Sequence, residues 1–204
     1  WDADHAPPAI RDHAITFDNS YENMGKSGSF TLFDRGWSWV SGTPFRGYKG
    51  STFEGGIRVP AILSSASISA PGRISKETVS ITDFAPTIME LAGIAFEEGD
   101  FTGRSITPIM RNASNPIRSK DEHIGVEIWG RRAIKVGNWK AVRMPKPLSD
   151  DRWLLFDLET DPAEQKKLAE ERPETLARLA AAWAPYAKKN TAVSTEGTLR
   201  LLQR

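Results

Sequence analysis

Lysine 49 stands six residues before a Gly55-Gly56 pair, in the stretch RGYKGSTFEGGIRVPAI from Arg46 to Ile62. An aliphatic run carrying one arginine, Arg58, follows directly. A lysine taken alone is an ordinary solvated surface residue. The paired glycines add something, because they permit close backbone approach or a turn with positive φ at the entrance to an apolar segment. In open α/β sheets, loops at the carboxyl ends of strands border ligand crevices. An ammonium held in such a loop is a point charge suited to an oxyanion such as phosphate or sulfate. On residue chemistry alone, the stretch is a candidate anion-binding loop.

Other residue types offer less. His5, His13 and His123 have no motif partner and read as structural or exposed. Trp37 and Trp39 could line a pocket for an aryl group, with ordinary packing as the competing reading. The chain has no cysteine, which excludes disulfides, thiolate metal sites and a cysteine nucleophile within it.

The elements that must position Lys49 can be read from periodicity. Ile57–Leu63 has the look of a short buried strand bounded by Gly-Gly and serines, with Pro60 near one end. VSITDFAPTIMELAGI predicts a helix capped by Thr82 or Asp83, with Pro86 in its first turn and Gly93 as its stop. Ile88, Leu91 and Ala92 are spaced to form its buried face. Three glycine-separated segments, EHIGVEIWG, RRAIKVG and NWKAVRM, and then RWLLFDLETDP, predict an antiparallel meander. DPAEQKKLAEERPETLARLAAAWAPYAKK reads as two helical pieces broken at Pro173, the second presenting Leu176, Leu179, Ala180 and Trp183 on one face. A small sheet covered by that helix makes an α+β module.

With 204 residues, 39% hydrophobic and 26% charged, the chain can bury a real core. A formal net charge of +1 favours neither nucleic acid nor an anionic membrane as partner, and no apolar run is long enough to span a bilayer. The polar opening WDADHAPPAIRDH shows no signal peptide, and its initial tryptophan suggests a fragment or a processed product.

RGYKGSTFEGGIRVPAI closely resembles the lysine-containing motif of the type I, formylglycine-dependent sulfatases of the alkaline phosphatase superfamily. PGRIS, SITDFAPTIMELAGI and TGRSITPIM resemble later family segments and follow in the family's order. EIWGRRAIKVGNWKAVRMP and WLLFDLETDPAEQKKLAEERPETLARLAAAW are similar to the family's C-terminal subdomain and closing helix. The wording is closest to the bacterial arylsulfatase branch.

The resemblance implies an alkaline phosphatase-like α/β fold. Residues 1–120 would be the C-terminal part of the main mixed sheet with its helices, 121–190 an α+β subdomain and 191–204 a tail. It implies hydrolysis of small-molecule sulfate esters, aryl sulfates in this branch, with Lys49 contacting the sulfate as catalytic and substrate-binding residue. Glu54 and Arg58 also match the motif and read as structural. Asp18-Asn19 looks like the family's calcium-binding pair, but Ser20 follows where glycine is usual, so an Asx-type turn is expected and no metal ligand is assigned. Calcium ligands and the formylglycine, made within a C/S-x-P/S-x-R motif, are expected upstream and not within these residues. The chain alone is then expected to be inactive, with the missing N-terminal half as its partner. A phosphonate or phosphate monoester hydrolase of the same superfamily, or a free-standing ligand-binding module, are the alternatives.

Overall fold

The computed structural model describes residues 12, 15–30, 35–69, 71–97, 99–112, 115–146, 149–190 and 192. His5, His13 and nearly all of the tail lie outside them. The chain divides into two compact units, one made of the residues up to Val59 together with His123 onward, the other of Pro60–Glu122.

In the first unit, helix α1 (Arg35–Gly42) and the single helical turn α2 (Glu54–Ile57) precede the sheet. The four predicted strands form as β1 (His123–Ile128), β2 (Arg131–Val136), β3 (Trp139–Arg143) and β4 (Trp153–Asp157), an antiparallel meander in the order β1-β2-β3-β4. Two-residue loops join the first three strands, since Ile128 pairs with Arg131 and Val136 with Trp139. Alternation along the strands gives the sheet two buried faces. Ile134, Val136, Ala141 and Leu155 face Leu179 and Trp183 of the closing helix. Ala133, Val142 and Phe156 face the other way, against Phe53 of the Lys49 loop.

The closing helix is a single one, Pro173–Lys189, with Pro173 in its first turn, where a missing N–H costs little. The first of the two expected helical pieces is absent. Residues 161–172 run as turns instead, tied to β4 by the Leu168 N–H donating to the Leu155 carbonyl at 2.9 Å. That bond and the burial of Leu168 against the sheet replace the contacts a free helix would make.

Pro60–Glu122 is built around a helical segment, the 3-10 turn Ile81–Asp83 running into α3 (Phe84–Leu91), and a short helix α4 (Thr107–Arg111). Asp83 is the N-cap residue of α3, one of the two expected, but makes no side-chain cap bond there; Ser80 caps the preceding 3-10 turn in a reciprocal capping box with Asp83. Gly93 ends α3 as expected. Its φ is 69°, and the N–H groups of Gly93 and Ile94 return to the carbonyls of Glu90 and Met89. The Asp83 carboxylate also accepts from Arg104 N–H at 2.9 Å and from Arg118 at 2.6 Å. Burial alone would raise its pKa, but Arg118 and the two backbone N–H groups outweigh burial and hold it below the ordinary range.

Two expectations fail in this half. Val59–Leu63 is not a strand; it has no regular structure, Ile62 is 95% exposed, and no described residue before His123 is in a strand. A strand needs neighbours for its backbone groups, and the described residues supply none there. Ile88 and Leu91 are likewise exposed, because α3 buries Pro86 and Thr87 instead, with the Thr87 hydroxyl accepting from Ile106 N–H.

Leu179→Ala should therefore lower unfolding free energy by about 2–5 kcal/mol, and Ile62→Ala by no more than about 0.5 kcal/mol. Urea denaturation followed by tryptophan fluorescence checks this; equal losses would contradict the assigned burial.

Candidate functional site

Lys49 lies exposed in a turn that the sheet holds from beneath. Next to it, the Gly50 carbonyl accepts a hydrogen bond from the Arg131 guanidinium. Thr52 donates to the Arg132 carbonyl at 3.3 Å, and the Phe53 ring packs edge-on against Phe156. Gly55 and Gly56 serve close approach rather than positive φ. A Cβ on Gly55 would sit 2.3 Å from the Gly47 carbonyl oxygen, and one on Gly56 would sit 2.2 Å from that of Ser51. The loop is folded so tightly on itself that only glycine fits at both places.

Beneath it lies a charge cluster that the motif reading did not include. Lys140 alternates onto the same face of β3 as Val142 and is 1% exposed. Its ammonium donates to Glu54 Oε1 at 2.7 Å and lies 2.9 Å from Glu164 Oε1, aligned for a hydrogen bond with Glu54 alone. Glu164 Oε2 accepts the Glu54 N–H at 2.6 Å. Arg46 spans the same region, donating to the Glu164 carbonyl at 3.0 Å with its guanidinium 4.2 Å above the Phe53 ring. Burial pushes the Glu164 carboxyl above the ordinary glutamate range, and Lys140 only partly offsets this. Glu54 is buried in this cluster, and Arg58 lies 3.7 Å from its carboxylate and over the Phe45 ring. The sequence signal for Lys140 was its place in the apolar alternation of NWKAVRM, where a lysine is ordinarily taken as solvent-facing.

Trp39 meets Tyr48, the neighbour of Lys49, edge to face at 5.8 Å. It also lines an open cleft of about 560 Å³ with Phe45, Arg46 and Glu164, and Lys49 is not among the lining residues. Trp37 is largely exposed, and His123 begins β1 at its exposed end. Trp129 and Gly130 form the β1–β2 turn with φ of 52° and 77°, as a two-residue hairpin requires.

Asp18 forms the expected Asx turn: its carboxylate accepts Ser20 N–H at 3.0 Å, which holds its pKa below the ordinary range. Asn19 Oδ1 accepts Phe30 N–H at 2.8 Å. Both side chains are thus used within their own loop. No group of three or more acidic or histidine side chains among the described residues could hold a metal, so these residues do not fit a calcium site. The C/S-x-P/S-x-R letters, expected to be absent, do occur twice, at Ser69–Arg73 and Ser114–Arg118. In both, the arginine has a structural task. Arg73 donates to the carbonyls of Ile109, Met110 and Arg111, and Arg118 pairs with Asp83. Ser114 lies outside the described residues.

Residues 48–181 match the family described as N-sulphoglucosamine sulphohydrolase, C-terminal. The chain belongs to this family. It is a C-terminal region of the sulfatases of the alkaline phosphatase superfamily. It is 36% identical over 178 residues to an uncharacterized sulfatase of Schizosaccharomyces pombe, covering 83% of this chain and 32% of that protein. It is 40% identical over 79 residues to the arylsulfatase of Klebsiella aerogenes, covering 38% and 17%. The crystal structure of Ps i-CgsB superposes with a TM-score of 0.61 at 28% identity, over 71% of this chain and 32% of that one. The chain thus spans about a third or less of the length of these relatives. The four-stranded sheet with its closing helix corresponds to the C-terminal portion of sulfatase structures.

Lys140→Met leaves two buried carboxylates facing each other and should cost about 3–5 kcal/mol, with Glu164→Gln losing clearly less. Because the folded pKa of Glu164 is raised, its contribution to stability is fully present below the ordinary glutamate range and lost as pH rises through the raised value. Urea midpoints measured across that pH range should fall with rising pH, and the slope should flatten in Glu164→Gln; an unchanged slope would contradict the assignment.

Proposed function

We propose that this sulfatase C-terminal region completes a sulfuric ester hydrolase of the arylsulfatase type, in which Lys49 contacts the sulfate. The observation that carries this is the construction around Lys49: an exposed ammonium on a loop tightened by two glycines and fixed to the sheet through Glu54, Thr52 and Gly50. Such a loop holds its cation in place before substrate arrives, so that little reorganisation is needed. Next to a bound ester, the ammonium neutralises charge on the sulfate and on the departing oxygen as the bond to sulfur breaks. The family is typically calcium- and formylglycine-dependent; when present, the formylglycine supplies the nucleophile and calcium holds the sulfate. We place both upstream of these residues, as the resemblance to the family implies. The 40% identity to an arylsulfatase supports the aryl preference.

Lys49→Ala in the complete polypeptide should reduce kcat/KM for 4-nitrophenyl sulfate by roughly 10²–10³. It should leave the melting temperature unchanged, because the side chain is exposed. The 204-residue chain alone should show no turnover, with Ser69 and Ser114 keeping the mass of serine. Full activity in Lys49→Ala, or turnover by the chain alone, would overturn the proposal. Preference for a phosphate over a sulfate monoester would point to the phosphohydrolase branch.

A further inference from the structure

Trp129 occupies a position that suits it poorly for folding. It is the first residue of a two-residue hairpin turn with φ 52°, a conformation that glycine or asparagine adopts readily and bulky side chains rarely do. It is also 55% exposed, so burial does not account for the choice. Its surroundings are firm. Glu127 accepts the Gly130 N–H at 2.7 Å and pins the turn. The Arg131 guanidinium, 5.5 Å from the indole, backs the ring and also donates to the Gly50 carbonyl. The hairpin tip therefore lies against the residue that follows Lys49: a Cβ on Gly50 would sit 3.4 Å from the Trp129 ring and 3.2 Å from Arg131. Arg131 has no carboxylate partner among the described residues, and its buried Nε makes no hydrogen bond there, so its charge adds to that of Lys49.

We propose that Trp129 is a specificity-determining residue whose open indole face stacks on the ring of an aryl sulfate while Lys49 holds the sulfate. This rests on the reading of Lys49 given above. An aromatic ring gains stacking and apolar contact from an indole held in a fixed place, at little cost in lost freedom. A ringless anion gains neither. The strained turn fixes the ring at one edge of the anion loop, and a strained backbone maintained by its surroundings is found most often at binding sites.

The test uses the complete polypeptide and compares the KM for 4-nitrophenyl sulfate with the inhibition constant of inorganic sulfate, a ringless anion with the same head group. Trp129→Asn removes the ring while suiting φ 52°, so the melting temperature should hold. The KM should rise about tenfold and the inhibition constant for sulfate should stay within about twofold. Trp129→Phe should retain most of the affinity for the aryl ester. Glucose 6-sulfate as a competitor distinguishes the ring type: a weakening equal to that of the aryl ester would assign the wall to any flat ring face and overturn the aryl commitment. If Trp129→Asn moves both constants together or moves neither, the ring wall is wrong, and a lowered melting temperature with both constants unchanged would assign the residue to packing. Those outcomes are separate from failure of the anion reading, which shows as full activity in Lys49→Ala.

Discussion

A lysine on the inner face of a sheet cannot be left alone, and the arrangement of the first unit follows from that. Moving an ammonium out of water is costly unless opposite charge and hydrogen bonds meet it in place. Lys140 is met by Glu54 from the Lys49 loop and Glu164 from the turns after β4, two segments far apart in sequence. Satisfying one buried charge therefore fixes where the loop crosses the sheet. Phe53, one residue before Glu54, then fills the same face against Phe156, so apolar packing and charge pairing select one position for the loop. Buried ion clusters of this kind add little net stability over apolar replacements, but they exclude alternatives, because any other placement leaves a charge unpaired.

The exposed groups gain from that rigidity. Lys49 and Trp129 are carried on turns whose neighbours are tied down, Gly50 by Arg131 and Gly130 by Glu127. A side chain that must hold a ligand loses less on binding when its backbone is already fixed. The Trp129 turn is one place where local preference and observed residue disagree, as Glu164 at φ 54° is another, and holding a bulky residue at positive φ costs about 1–2 kcal/mol. Pro60–Glu122 shows a different economy. Asp83 gathers its cap, the Arg104 backbone and Arg118 around one carboxylate, while Ile88 and Leu91 stay open.

Much was legible where local pattern decides structure. The meander was readable because alternation and glycine turns at Trp129-Gly130 and Gly137-Asn138 specify hairpins with little help from elsewhere. The face of the closing helix was readable because Leu179 and Trp183 recur at helical spacing. The strand expected at Ile57–Leu63 was not a local matter: an apolar run becomes a strand only beside a partner, and the described residues hold none there. The same reason separates Ile88 from its expected burial. Lys140 and Trp129 were hidden for the opposite cause. Each breaks a local rule, and each departure makes sense only beside a residue distant in sequence.

The sequence by itself determined the family, the antiparallel module and the candidate lysine, because motif order, period-2 alternation and paired glycines are properties of neighbouring residues. The tertiary structure alone decided that the loop is held by a buried charge cluster, that Asn19 Oδ1 is taken by the Phe30 N–H, and that a hairpin tip with an exposed indole lies beside Gly50. Those facts depend on which distant groups share a low-dielectric interior or a common surface, and no spacing along the chain encodes them.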